Sequence, residues 1–384
     1  MKKKLIRTAT VAMSLDILLE GQLAFLNEFY DVVAVSGRDN HLENVASREK
    51  VKTIDVTFYR TISPVKDLIS LFRLYKTLKI EKPFIVHSIT PKAGLITMIA
   101  GFFARVPIRV HTFTGLVFPT KTGFSQSFFI FIDKILCLFA THIFPEGNGV
   151  KNDLIKYKIT KKPLKIIANG NVNGIDLCRF NPELFSDNDK NNLRLKLNID
   201  SNDFVFIFVG RLVSDKGINE LIAAFDKLSI EINNVKLLLV GNFEQDLNPL
   251  QPLTIEKINN NKSIVSVGFQ ADVRPYFSIA NALVFASYRE GFPNVVLQAG
   301  AMNLPCIVTN INGCNEIIEN NINGLIIESK NEKAIFNAMN LFLNDKKLVE
   351  KLALNARENI ALRFEQSIVW NALLAEYRLL EKQK

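Results

Sequence analysis

Residues 203–210 read DFVFIFVG, an unbroken apolar run of strand-forming side chains closed by a glycine. Such a strand has no polar face to offer water, so both its faces must be covered, which is the position of a central strand in a parallel sheet flanked by helices. The rest of the chain alternates short β-rich runs with amphipathic helical runs, the pattern of a parallel α/β architecture. In the first half the predicted strands are 5–12, 32–36, 51–55, 84–88, 107–111, 142–145 and 165–168, with helices 15–29, 65–79, 92–104, 123–140 and 147–157 between them. In the second half strands 235–240, 263–267, 282–286 and 305–309 follow the opening run, separated by helices 218–230, 250–258, 271–280 and 294–302. A helix-rich end runs from 332 to 384. Neither a Rossmann glycine triplet nor a Walker loop is present.

The chain has 384 residues. Single cores stop growing at roughly 250–300 residues, so two domains are expected. The segment NGNVNGIDLCRFNPE (169–183) is rich in Asn, Gly and Pro and marks the junction. The expected division is 1–172, a linker at 173–183, a second domain at 184–364 and a last helix at 365–384. Four cysteines, at 137, 178, 306 and 314, form no CxxC pair and read as reduced, buried thiols of a cytoplasmic protein. The basic start MKKKLIRTATVAMS is broken by Arg7 and followed by Asp16 and Glu20, so it reads as a first strand and not as a signal peptide. No stretch supplies the roughly 20 uncharged apolar residues of a spanning helix. The nearest, FFIFIDKILCLFATHIF (128–144), carries Asp133 and Lys134 in its middle.

Net charge is +9 and unevenly spread: residues 1–180 balance at +12, residues 181–384 at −3. A basic half suits an anionic partner. Arg-rich runs, zinc-finger spacing and aromatic RNA-binding signatures are missing, so nucleic acid is not expected. Phe is abundant in the same half, which fits an anionic membrane surface or a phosphorylated lipid. The segment 121–144 with its basic neighbours leaves two readings open, a face resting on the inner membrane surface or a core helix packed all round.

Three segments carry chemistry. In REGFPNVVLQAGAMNLP (289–305), Glu290 and a Gly-Phe-Pro turn lead into a helix whose first position suits Pro293. The free N–H groups of that first turn make an anion site beside a carboxylate, a pairing apt for a nucleotide sugar with both phosphates and hydroxyls. In GRLVSDKGINELIAAF (210–225), Arg211 and Lys216 follow the buried strand at its carboxyl edge, where ligands bind in open α/β sheets. Both could reach one diphosphate, Arg as a fork and Lys as a point charge. In HSITPKAGL (87–95) and VHTFTGL (110–116), His87, His111, Thr114 and Gly115 lie at or past strand ends and are placed to meet an acceptor, with Lys92 placed to meet its anionic group. Each of these has a structural alternative, a solvated loop for 210–217 and satisfied core histidines for His87 and His111.

Taken together these segments resemble the retaining glycosyltransferases of family four. GRLVSDKG is similar to that family's phosphate-binding segment, REGFPNVVLQAGAMNLPCIVT to its signature acidic segment, and NGIDLCRFNP (173–182) to its linker. HSITPKAGL and TFTGL resemble the bacterial subgroup that builds capsule, O-antigen and lipid-linked glycans. The resemblance implies a GT-B fold: two Rossmann-like parallel-sheet domains facing a cleft, the first binding acceptor, the second binding nucleotide sugar, and the last helix crossing back to the first. It implies that Arg211 and Lys216, with Gly210, meet the donor diphosphate. Glu290 would sit by the transferred sugar, the backbone N–H groups around Phe292 to Val295 (Asn294 among them), in the turn that Gly291 and Pro293 shape, would hold hydroxyls and phosphate, position 298 would hold the ribose, and Phe269 would lie against the base. It implies a UDP-sugar donor, a glycan or polyprenyl-diphosphate-linked acceptor, a place in the cytoplasm or on the inner membrane face, and no cofactor.

Two positions depart from the family pattern. The second signature acid is Gln298, which can bridge ribose hydroxyls but cannot act as acid, base or nucleophile. The His usual just before Gly-Leu in the acceptor-side loop is replaced by Thr114, with His111 three residues earlier. A double displacement needs a carboxylate nucleophile and usually a partner acid/base, so front-face substitution is expected, without a catalytic metal because no Asp-x-Asp pair occurs. The rival readings are a sugar-nucleotide epimerase of the same architecture and a degenerate, non-catalytic scaffold subunit.

Overall fold

In the computed structural model, which describes residues 2–59, 61, 63–244 and 248–384, the alternating runs fold into two parallel sheets of six strands each. The first half runs β1 (Lys4–Thr8), α1 (Ala12–Leu18), α2 (Gln22–Asn27), β2 (Asp31–Ser36), α3 (Asn40–Glu49), β3 (Lys52–Asp55), α4 (Pro64–Glu81), β4 (Ile85–Ser88), α5 (Pro91–Phe103), β5 (Ile108–Phe113), α6 (Gly123–Phe139), β6 (His142–Pro145) and α7 (Asn148–Lys156). The second runs α8 (Asp187–Lys196), β7 (Phe204–Val209), α9 (Ile218–Glu231), β8 (Val235–Val240), α10 (Pro252–Asn260), β9 (Ile264–Ser266), α11 (Arg274–Ser278), β10 (Ala282–Phe285), α12 (Asn294–Ala301), β11 (Cys306–Thr309), α13 (Cys314–Ile317), β12 (Gly324–Ile327), α14 (Glu332–Asn344) and α15 (Lys346–Phe364). The chain ends with α16 (Gln366–Lys382).

The strand orders are β3-β2-β1-β4-β5-β6 and β12-β11-β10-β7-β8-β9. Read from the first strand of each sheet, they are one doubly wound topology used twice. The chain steps outward on one side, then returns past its start and steps outward on the other. The point of reversal, between β1 and β4 or between β7 and β10, opens a crevice at the carboxyl edge where ligands of such folds bind. In the second sheet β7 is the strand read from DFVFIFVG, and Val205, Phe206, Ile207 and Phe208 are fully buried, as a strand covered on both faces requires.

Two compact units result. One is Met1–Gly174 together with Gln366–Lys384, and the other is Ile175–Glu365. Residues 175–183, read from sequence as linker, therefore belong to the second unit, where Ile175 N–H bonds the Phe364 carbonyl at 2.8 Å. Helix α16 belongs to the first unit and buries Leu373, Leu374, Tyr377 and Leu380 in its core.

Several expectations shift. The run 165–168 is not a strand; Leu164, just before it, makes an isolated bridge to Ile143, and Lys165 N–H bonds the Ile143 carbonyl at 3.3 Å. The helix read over 15–29 is two helices, interrupted between Leu18 and Gln22. Of the cysteines, Cys137, Cys306 and Cys314 are buried, but Cys178 is exposed. Helix α6 is neither wholly buried nor wholly free: Asp133, Leu136 and Cys137 face inward, while Phe124, Phe131 and Leu138, seven residues apart, are exposed. Burial without a cation pushes the Asp133 carboxyl up to about 7. No helix among the described residues is long and apolar enough to cross a membrane.

Candidate active site

The residues of the two signature segments meet at the reversal point of the second sheet. The chain leaves β7 at Gly210 and makes a short turn over Ser214–Lys216 before α9; it leaves β10 through Ala286–Pro293 before α12. Because β7 and β10 are neighbours, these two loops lie side by side. The turn is clasped by the opposite loop. Tyr288 N–H bonds the Asp215 carbonyl at 2.9 Å, Arg289 pairs with the Asp215 carboxylate at 3.3 Å, and the Tyr288 hydroxyl bonds Glu220 on α9 at 2.5 Å.

Two glycines permit this contact. Gly217 has φ +69° and packs so closely that a Cβ there would stand 2.1 Å from the Ala286 carbonyl oxygen. Gly313, with φ +76°, brings the loop after β11 against the turn before α12, where a Cβ would stand 2.5 Å from the Gly291 oxygen. Only a residue without a side chain fits either place.

At the centre, Lys216 Nζ bonds and ion-pairs with Glu290 Oε1. The side chains retain 19% and 16% exposure, so the pair is shielded yet reachable. Ser287, itself fully buried, brings its Oγ within 2.8 Å of the same Oε1, and its carbonyl accepts from the Thr309 hydroxyl at 2.5 Å. Lys216 and Ser287 thus converge on one carboxylate oxygen, Oε1. Lys216 Nζ also sits 5.3 Å from the centre of the Phe285 ring. Cys314 is buried beside this pair; burial, then the Glu290 carboxylate, raises its thiol well above the usual range. Arg211 reaches Glu244 at 2.7 Å across the mouth of the loop after β8.

The other sequence-named groups surround this centre. Helix α12 begins at Asn294, where the sequence placed it, with Pro293 as its N-cap and not its first residue. Phe292 is buried against Phe364, with ring centres 5.5 Å apart, which holds the turn before the helix. Val295 and Gln298 are half-buried on α12, and Gly291 lies in the turn pressed by Gly313. Phe269 is exposed on the loop after β9, its N–H bonded to Asn242 Oδ1 at 3.0 Å, and offers a flat ring to solvent. Sequence reasoning missed Ser287, Thr309 and Gly313. Ser287 stood three residues before Glu290, just ahead of that segment, and was the findable one, whereas Thr309 and Gly313 come from a different strand end.

In the first unit the expectations need correction. His87 and His111 were placed to meet an acceptor, but both are buried core groups. His87 Nδ1 lies 2.5 Å from the Tyr377 hydroxyl and Nε2 lies 2.7 Å from Thr112 Oγ1; His111 Nδ1 lies 2.8 Å from Ser88 Oγ. Burial holds His87 well below its ordinary range and brings His111 down to about 3, so both are neutral at physiological pH. The cause is strand length: β5 runs on to Phe113, so His111 lies within the sheet and not past its end. Lys92 pairs with Asp67 at 2.7 Å at the start of α5. Thr114 donates its hydroxyl to the Ile89 carbonyl at 2.9 Å, and Gly115 follows in the loop after β5 with φ +138°.

A repeated doubly wound unit, with two cations, a carboxylate and a helix start at one switch point, defines the class: a GT-B glycosyltransferase. The family description "Glycosyl transferases group 1" matches residues 189–359, and "Glycosyltransferase Family 4" matches residues 24–171. The capsular polysaccharide biosynthesis glycosyltransferase CapM of Staphylococcus aureus is 32% identical over 99% of this chain and 98% of its own length. An Escherichia coli UDP-Gal:α-D-GlcNAc-diphosphoundecaprenol α-1,3-galactosyltransferase is 32% identical over 88% of this chain and 86% of its own. Among solved structures, Anabaena Alr3699/HepE in complex with UDP superposes with TM-score 0.81 at 18% identity, covering 98% of this chain and 99% of that one. A Rickettsia africae glycosyltransferase gives 0.81 at 20% identity with full coverage of both chains. The chain belongs to the group 1, family 4 glycosyltransferases.

Proposed function

We propose that the protein transfers a sugar, with retention of anomeric configuration, from a UDP-linked donor to a polyprenyl-diphosphate-linked or oligosaccharide acceptor during synthesis of a bacterial surface polysaccharide. The observation that carries this reading is the Lys216–Glu290 pair at the reversal point of the second sheet, with α12 starting four residues after Glu290 and Arg211 following the end of β7. The names of the relatives support the rest: CapM in capsule synthesis, the E. coli enzyme with a UDP-sugar and a diphosphoundecaprenol acceptor, and a structural neighbour holding UDP.

In this mechanism the donor diphosphate lies against Lys216, Arg211 and the N-terminal end of α12. The bond from the anomeric carbon to the diphosphate oxygen breaks as the acceptor oxygen bonds the same face of that carbon. The acceptor proton passes to the departing phosphate oxygen, and the nucleoside diphosphate leaves. Negative charge builds on that diphosphate, and preorganised cations and N–H groups stabilise it more than they stabilise the bound donor. Glu290 presents its carboxylate to the sugar, orienting a hydroxyl and favouring positive charge at the anomeric carbon. Gln298 holds the ribose diol by donating to one hydroxyl and accepting from the other. Residues of this chain carry each of these tasks without a metal.

The acceptor side rests on the first unit's surface. Helices α4, α5 and α6 pack in sequence along it. Val65, Leu68, Ile69 and Phe72 on α4 are exposed, as are Phe102 and Phe103 on α5 and the Phe124, Phe131, Leu138 row on α6. Exposed Lys66, Arg73, Lys76, Lys79 and Lys134 lie among them. Apolar side chains mixed with cations suit the interface of an anionic bilayer. One assay tests the reading: transfer from UDP-sugars to an undecaprenyl-diphosphate-linked sugar in vesicles, with the product anomer read by NMR. The proposal expects the donor's anomeric configuration in the product and a faster reaction in phosphatidylglycerol than in neutral vesicles. An inverted product would remove the mechanism, and equal rates in both vesicles would remove the membrane contact.

A further inference from the structure

Tyr288 stands two residues before Glu290 and ties together three neighbours of the Lys216–Glu290 pair. Its N–H bonds the carbonyl of Asp215, the residue before Lys216. Its half-buried ring has Lys330 Nζ, from the loop after β12, 4.8 Å from its centre. Its hydroxyl crosses to α9 and donates to Glu220 Oε1 at 2.5 Å. Burial, then the Glu220 carboxylate, raises the phenol above its ordinary range, so the hydroxyl keeps its proton and remains the donor.

Glu220 is poorly placed for stability alone. It lies in the first turn of α9, where a carboxylate favours the helix dipole, but that benefit needs no burial. Its Oε2 is buried with no hydrogen-bond partner, and an unmet buried acceptor is destabilising. The bond from Tyr288 is the one hydrogen bond recorded for this carboxylate among the described residues. Local conflicts of this kind concentrate where a site must be held in one geometry. The consequence runs to the reacting groups. A displacement of Tyr288 moves Lys216 through the Asp215 carbonyl and moves Glu290 through the chain. The other ties from this loop to Asp215 are longer: the Ser287 hydroxyl to its carbonyl and Arg289 to its carboxylate, both at 3.3 Å.

We propose that Glu220 and Tyr288 are positioning residues for the transfer reaction. The phenol–carboxylate bond sets how deep residues 286–290 sit against the 214–216 turn, and so aligns the Lys216 ammonium and the Glu290 carboxylate at the reacting end of the donor. Both act through those two groups. The inference rests on the reading that this corner holds the donor diphosphate. A misplacement of about 1 Å can cost about a hundredfold in rate. When the hydroxyl is lost, the backbone bond and the Arg289 pair remain, so a loss of about tenfold is expected here.

Tyr288→Phe keeps the ring beside Lys330 and removes only the hydroxyl; Glu220→Met replaces the carboxylate with an apolar side chain of similar length. Each should lower kcat about tenfold, with KM for the nucleotide sugar within about twofold of the parent. Combined, they should cost no more than either alone, because both break one bond. Glu220→Gln, whose carbonyl still accepts the hydroxyl, should keep most of the turnover. Losses that multiply in the double variant, or a fall in Tm with unchanged kcat, would overturn the positioning role. Hydrogen–deuterium exchange of peptides spanning 214–217 and 286–290, read without substrate, separates this inference from the function. Exchange should quicken in Tyr288→Phe and Glu220→Met and match the parent in Glu220→Gln, whatever the donor. A parent that transfers nothing from UDP-sugars yet shows this pattern contradicts the proposed function and upholds the clasp, whereas unchanged exchange overturns the clasp even in an active enzyme.

Discussion

Lys216→Ala is expected to lower kcat by about a thousandfold while leaving the second unit folded. Removing one preorganised donor from a site of developing charge costs on the order of 10²–10³ in rate. Lys216 also holds Glu290 in place through Oε1, so its loss leaves that carboxylate anchored by Ser287 alone. The fold should survive because the turn is built by its backbone: Lys216 N–H bonds the Val213 carbonyl at 3.1 Å, Gly217 N–H bonds the Ser214 carbonyl at 2.9 Å, and the Asp215 carbonyl takes Tyr288 N–H. Steady-state kinetics with a parallel melting curve separates the two effects. Turnover within a few-fold of the parent would mean that the leaving diphosphate is not stabilised by this residue.

The second large effect is on stability. Gly217→Ala places a Cβ in a left-handed backbone conformation and 2.1 Å from the Ala286 carbonyl oxygen, with the Ala286 carbonyl carbon at 2.7 Å. Neither neighbour is the tip of a flexible side chain, so the turn and the strand end must move apart. Backbone strain of this kind costs about 1–3 kcal/mol, and the overlap adds to it, so a loss of about 3 kcal/mol is expected for the second unit. The same movement separates Lys216 from Glu290, so nucleotide affinity should fall together with stability. Urea unfolding and nucleotide titration on one preparation check both. A variant with parent-like stability would mean that the close approach of the two loops is not as described.

Much of this was legible in the chain, and the reason differs from element to element. DFVFIFVG could only be a strand covered on both faces, and its end located Arg211 and Lys216. REGFPNVVLQ showed a helix start beside an acid, and the helix read over 294–302 begins at Asn294 as expected, with Pro293 as its cap and not its first residue. His87 and His111 were read as strand-end groups because local composition does not report which strands lie inside a sheet: β4 and β5 each have a strand on both sides, and β5 also continues past His111 to Phe113. Ser287, Thr309 and Gly313 reach the site through strand order and loop packing, which residue spacing does not encode. The last helix was legible as a helix, but its membership in the first unit depends on pairings such as Tyr377 with His87, 290 residues apart.

The central claim is that one switch point, between β7 and β10, binds the donor diphosphate. A crystal structure with UDP or a UDP-sugar tests it most directly. The account predicts diphosphate oxygens within hydrogen-bond distance of Lys216 Nζ, the Arg211 guanidinium and the N–H groups opening α12, with the ribose against Gln298. A nucleotide seated elsewhere, or a diphosphate held without Lys216 and Arg211, would contradict it.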